Sequence, residues 1–250
     1  MTARARRTAR AAGLWLLALA VLWLLEAQYH FLPGASRRRP LAHRELAMEF
    51  LGQHLARTCP GKRAVVLSNP FSSRSGQPAE VYAFEKAGLQ GLKRGLGNAV
   101  RIEAVVFPEL KPEAAANPRA VFINPTTTTP LSYLLAEDAF DKVASAYPQA
   151  EILVSLIGLP VNISRSPLWK NDNPAKLALL LPDLRIIGNH AAIREAFRTR
   201  KIAGIVVNKP GSPPETQPLR ADEQAEFDRR FLLVTPDNID RIVQAYPRLF

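Results

Sequence analysis

In this chain of 250 residues, three polar runs gather the side chains best suited to recognising a ligand. Asn69-Pro70-Phe71-Ser72-Ser73-Arg74 sets an amide, an aromatic ring and a guanidinium within one short run. Such groups give paired hydrogen bonds and a stacking face to a sugar or another small polar molecule; the same run also reads as a polar turn leading into a helix. Asn124-Pro125-Thr126-Thr127-Thr128-Thr129-Pro130 offers hydroxyls that donate and accept, toward a ligand or as a helix cap. Asn162, Arg165 and Trp169 form the third group. Trp169 is the only tryptophan after Trp23, and serves either as a stacking platform or as a pin holding its loop to the body. The candidate ligand contacts are therefore Asn69, Phe71, Arg74, Asn124, Thr126, Thr127, Asn162, Arg165 and Trp169. Asn189 reads as a helix cap, with His190 beside it as a bystander.

Bond-making chemistry has no comparable set of residues. There is no G-x-S-x-G elbow and no Cys/His pair at a usable spacing. The single Cys59 cannot form an intrachain disulfide or a Cys-rich zinc site, and His30, His43, His54 and His190 are not spaced as metal ligands. Gly88, Gly91, Gly95 and Gly97 do not make a G-x-G-x-x-G phosphate loop; they read as close helix–sheet packing and a helix cap. Glu80, Glu85, Glu137, Asp138 and Asp141 read as solvated helix faces. The expectation is a binding protein rather than an enzyme, with no cofactor and no metal.

The elements that position these residues begin with an apolar run. Ala11 to Leu25 is unbroken by any polar side chain, and its continuation to Leu32 gives 22 residues, or ~33 Å of helix, enough to cross a bilayer. Four arginines and no acid precede it, which places the N-terminus in the cytoplasm and the body outside; Arg37, Arg38 and Arg39 weaken this asymmetry without reversing it. Leu25-Glu26-Ala27 is a poor cleavage site, so an uncleaved single-pass anchor in the inner membrane is expected, with the body facing the periplasm or exterior. Residues 1–44 carry +7 of the net charge of +11. The body lacks a basic cluster interleaved with aromatics, which excludes nucleic acid as the expected partner.

The layout follows: a basic tail over 1–10, an anchor over 11–32, a linker and short helix over 33–61, and an α/β domain over 62–250. Apolar positions 46, 47, 50, 51 and 55 predict an amphipathic helix within Leu41–Arg57. Strands are predicted over Ala64–Ser68, Arg101–Phe107, Ala120–Asn124, Glu151–Gly158, either Leu177–Leu181 or Leu184–Gly188, Ile202–Asn208 and Phe231–Thr235. Helices are predicted over Ala79–Leu96, Leu131–Tyr147, Ala191–Arg200 and Pro236–Tyr246. Apolar strands alternating with amphipathic helices mean an α/β fold with a mostly parallel sheet flanked by helices.

Several segments together resemble the type 1 periplasmic-binding-protein superfamily, the sugar-binding and related receptors of bacterial envelopes. AVVLSNPF followed by YAFEKAGLQGLKRGLG is similar to that family's opening strand, ligand-facing loop and next helix. AEILVSLIGLPV, LRIIGNHAAIREAFRTRKIAGIVVNKPG and FLLVTPDNID resemble its inner strands, second lobe and closing segment. The resemblance implies a Rossmann-like domain that binds a small polar ligand reversibly, a sugar among the candidates, for capture or sensing. It also departs from the family: the body is too short for two full lobes, residues 159–176 are too few and too Pro-rich for a lobe crossing, and Asn189-His190 stand where many sugar binders place an Asp. A cleft that is reduced or absent would make the domain an envelope scaffold or interaction module instead.

Overall fold

The computed structural model describes residues 35–250 apart from residue 171. The expected basic tail and anchor, residues 1–32, lie outside the described residues. Among the described residues no helix is long and apolar enough to cross a membrane.

Six strands form one sheet: β1 (Arg63–Leu67), β2 (Arg101–Val106), β3 (Ile152–Ser155), β4 (Lys176–Leu180), β5 (Ile202–Asn208) and β6 (Phe231–Val234). Their spatial order is β2-β1-β3-β4-β5-β6. The first five are parallel, and β6 pairs antiparallel with β5 through Ile205–Val234 and Asn208–Phe231. β3 and β4 are apolar nearly throughout because helices cover both sheet faces. β2 lies at the edge and has no fully buried residue.

One face carries helices α1 (Ala35–Thr58), α2 (Ala79–Leu96) and, between β5 and β6, α5 (Glu223–Arg230). Leu46, Leu51 and Leu55 of α1 pack there against Val66, Val154, Ala178 and Val206. Phe50 stacks on Phe227 of α5 with ring centroids 4.2 Å apart. The other face carries α3 (Ala139–Ala146), α4 (His190–Arg198) and α6 (Ile239–Ala245), with Phe140, Phe197 and Ile239 against Leu153, Leu179 and Ile205.

Four sequence expectations need correction. Within residues 33–61 the expected helix is present but the linker before it is not irregular: α1, Ala35–Thr58, includes Pro40. Pro40, in the second turn, forfeits one backbone hydrogen bond, and the rest of α1 is held by burial between α2 and the sheet. Ala120–Asn124 is not a strand. Both edges of β1 are already taken by β2 and β3, and Asn117 caps a single 3-10 turn over Pro118–Ala120, leaving Phe122 79% exposed. The predicted Leu131–Tyr147 helix is one turn, Leu131–Leu134, and then α3; between them Leu135 bridges to Leu110, and Ala136 N donates to the Glu109 carbonyl. Finally, the glycines of α2 pack against a helix rather than the sheet. A Cβ on Gly91 would lie 2.0 Å from the Glu45 carbonyl oxygen, and one on Gly95 2.0 Å from that of Glu49.

Candidate functional site

In an open parallel sheet, ligands gather beyond the carboxyl ends of the strands, where the strand order reverses. Here the reversal is at β1, whose neighbours β2 and β3 are reached in opposite directions. The chain leaving β1 enters the Asn69–Arg74 run at that point. Beneath it lies a buried ionic cluster. Arg44 Nη2 of α1 donates to Glu85 Oε1 of α2 at 2.8 Å and to the Leu156 carbonyl past β3 at 3.2 Å. Glu85 Oε2 accepts from Ser68 Oγ at 2.6 Å and from Asn69 N at 3.2 Å. Gly88 gives the guanidinium its space, since a Cβ there would lie 2.9 Å from Arg44 Nε. Burial pulls Arg44 down from its usual range, and the Glu85 charge opposes it. Glu85 is thus a buried anchor and not the solvated carboxylate its residue type suggests.

On this base the first loop is ordered by its own contacts. Asn69 Oδ1 accepts from Phe71 N at 2.9 Å and caps a 3-10 turn, Pro70–Ser73. The Arg74 guanidinium lies 5.4 Å from the Phe71 ring centroid, and its Nη1 donates to the Ala115 carbonyl at 3.0 Å. Beside Asn69 opens a groove of about 600 Å³ walled by Pro40, Leu41, Ala79, Val81 and Phe84.

The second loop is fastened to the chain leaving β4. Asn124 Oδ1 accepts from Thr126 N at 3.0 Å and Thr126 Oγ1 at 2.9 Å, closing a local turn. Thr127 Oγ1 donates to Asp183 Oδ2 at 2.8 Å, and the Thr126 carbonyl accepts from Arg185 Nη2 at 2.6 Å. Arg185 also grips Asp183 through Nε and Nη2, each at 2.8 Å. Burial works to raise the Asp183 carboxyl, but hydrogen bonds from Arg185 and Thr127 outweigh it and hold the group below its usual range. The strand here is β4, Lys176–Leu180, and not Leu184–Gly188; Asp183 follows it and is engaged within the protein.

The third group does not join the other two. Asn162 Nδ2 donates to the Glu137 carbonyl at 2.9 Å, and Arg165 is exposed on the next turn. Trp169 is half-buried against the core of the second face and borders a hollow with Ala192, Glu195, Thr199 and Lys201. Lys201 stands just before β5 and donates to the Asn173 and Ala175 carbonyls just before β4. Trp169 therefore sits at the amino ends of the strands, away from Asn69 and Thr127. Its role as a loop pin is the one the contacts support.

Sequence reasoning missed Arg44, Ser68, Glu85, Asp183 and Arg185. For Glu85 a signal existed: Val81, Glu85, Gly88 and Leu92 follow one helical stripe, so the carboxylate stands on the inward face. Among the described residues no group of three or more His, Cys, Asp or Glu could hold a metal ion.

No family model and no curated protein matches the chain. Among solved structures, it is similar to a galactofuranose-binding protein, with 12% identity over 83% of this chain and 64% of that one at a TM-score of 0.48. It is also similar to a sugar ABC transport substrate-binding protein from Bordetella parapertussis, with 12% identity over 79% and 57% at 0.43. A periplasmic solute-binding protein from Actinobacillus succinogenes with bound D-allose aligns at 12% identity over 79% and 62%, at 0.42. The chain spans less than two thirds of the length of each of these structures.

Proposed function

We propose that this chain is an extracytoplasmic binding protein, tethered to the inner membrane by residues 11–32, that holds a small polar solute reversibly beyond the carboxyl end of β1. The observation that carries this reading is the coincidence of the strand-order reversal with the Asn69–Arg74 loop, set on the buried Arg44–Glu85–Ser68 cluster beside an open groove. Phe71 offers a ring face and Arg74 a fork of donors, which suit a hydroxyl-rich molecule such as a sugar. Asn69 and the Thr126–Thr127 turn border the same end of the sheet. Binding makes and breaks no covalent bond.

A second reading is an interaction module of the envelope. It is favoured by the exposure of Tyr82 and Phe84 at 38% each, Phe107 at 44% and Phe122 at 79%, and by the attachment of the three loops to different elements.

Calorimetric titration of the full chain in nanodiscs with sugars, amino acids, nucleosides and small acids separates the two. Saturable heat from one class is expected, weakened about tenfold by Arg74→Ala, the worth of one good hydrogen bond, and unchanged by Trp169→Ala. Heat from none of the classes would abandon the solute reading in favour of the interaction module.

A further inference from the structure

His43 lies on α1, only 3% exposed; neither ring nitrogen makes a well-formed hydrogen bond, the Gln217 backbone being the nearest group that acts on the ring. Leaving a buried polar atom unpaired is costly, and a native fold rarely leaves two on one ring without a use for them. The imidazole borders a hollow of about 180 Å³ at the carboxyl end of β5, together with Asn208, Ser212, Glu215, Arg230 and Phe231. That volume admits several non-hydrogen atoms as well as a single water.

The charges around the hollow are already spent. Arg230, itself 3% exposed, donates through Nε to Glu226, through Nη1 to the Pro213 and Pro214 carbonyls at 2.9 and 3.2 Å, and through Nη2 to the Gln217 carbonyl at 3.0 Å. Glu226 is fully buried and also accepts two bonds from Arg229, at 2.9 and 2.6 Å. These bonds cinch the Pro-rich segment 209–222 over the hollow, so its wall is built before anything enters. They leave no guanidinium fork for an anion, and the Glu215 carboxylate at the rim repels one. Arg229 and Arg230 in turn disfavour a cation. Rings of Pro213, Pro214 and Phe231 supply apolar walls.

We propose that this hollow is a binding site for a small neutral molecule bearing hydroxyl or amide groups, with His43 donating one hydrogen bond and accepting another at its base. The site is separate from the one beyond β1. It is lined by His43 and the β5–α5 connection, whereas the groove beside Asn69 is lined by Pro40 and Leu41 of the same helix. Burial, then the Arg230 charge, push His43 down to about 4, against the pull of Glu226 and the Gln217 backbone, with Arg229 adding to the fall. At neutral pH the ring therefore presents one N–H and one lone pair.

The test is nitrogen-15 NMR of the full chain in nanodiscs with labelled histidine, the His43 signals being assigned by their loss in His43→Gln. Glycerol and acetamide are the neutral probes, with acetate and methylammonium as charged controls. The expected result is a saturable shift of both His43 ring nitrogens by at least one neutral probe and by neither control, weakened about threefold to tenfold in Ser212→Ala, whose substitution lies at the rim and spares the core. The shift persists in Arg74→Ala, which separates failure here from failure of the site beyond β1. His43 signals that stay fixed with every solute mean a bound water only and overturn the proposal. So does an equal response to the charged controls, or a shift indifferent to Ser212→Ala.

Discussion

Glu85 accepts from Arg44, Ser68 and the Asn69 backbone while being 8% exposed, so its removal strands a buried guanidinium. Breaking a buried pair from one side typically costs about 3–5 kcal/mol, whereas replacing both partners with apolar groups is near neutral. Glu85→Ala is therefore expected to lose that amount in urea unfolding, and Arg44→Met with Glu85→Leu much less. A single substitution costing under about 1 kcal/mol would mean that water reaches the pair. The histidines set the acid response. His43 has a folded pKa of about 4 against an ordinary 6.5, so between these values the unfolded chain binds more protons. Stability from this residue is complete above pH 6.5 and falls as the pH drops toward 4. His54, lowered chiefly by burial although its Nε2 lies 3.0 Å from the Ala203 carbonyl oxygen, acts in the same direction. Asp183 and Glu226, both held low, keep their contribution above their ordinary values of 3.8 and 4.5 and lose it as the pH falls below them. Denaturation followed across pH 4–7 should flatten in His43→Gln, and an unchanged slope would reject the assignment.

The α1–α2 crossing depends on absent side chains. Gly91 and Gly95 meet α1 carbonyls, and a Cβ on Gly52 would lie 2.7 Å from the Leu92 carbonyl oxygen. Gly91→Ala must push two backbones apart, at an expected cost on the order of 2–4 kcal/mol. Gly97 has open space around it, but at φ +53 and ψ −129 it holds a conformation that side chains rarely adopt, so the same change there costs about 1–3 kcal/mol through backbone strain alone. A thermal melt of Gly91→Ala checks this, and a loss under about 1 kcal/mol would refute the close crossing. Elements with dense apolar periodicity were legible: Ala79–Leu96 and Ile202–Asn208 coincide with their expected limits. α5 was not, because Glu223–Arg230 offers only Ala225 and Phe227 as apolar markers among six polar residues. Ala120–Asn124 misled because a short apolar run does not reveal whether a sheet has room for it. At the site, the polar loops after strands could be read, but their partners could not. The pairing of Thr127 with Asp183 spans 56 residues, and nothing local in either segment announces it.

At the scale of the molecule, α1 is a layer of the fold and not an adapter. Its residues from His43 to Leu55 are nearly all buried, and it touches α2, α5 and three strands. A chain lacking residues 1–34 is expected to unfold cooperatively, and one lacking 1–58 to show no cooperative transition, by circular dichroism. A sharp melt of the shorter chain would return α1 to the status of linker. The direction of α1 has an additional result. Its first turns lie by Asn69 and Asn208, at the carboxyl ends of β1 and β5, while His54 and Cys59 lie by Lys176 and Ala203 at the opposite end. The helix thus runs against the parallel strands, and whatever precedes Ala35 attaches at the end that bears both proposed sites. Pro40 is about 8 Å of helix from that attachment. The anchor proposed over 11–32 would therefore join the domain on the side where both proposed sites open.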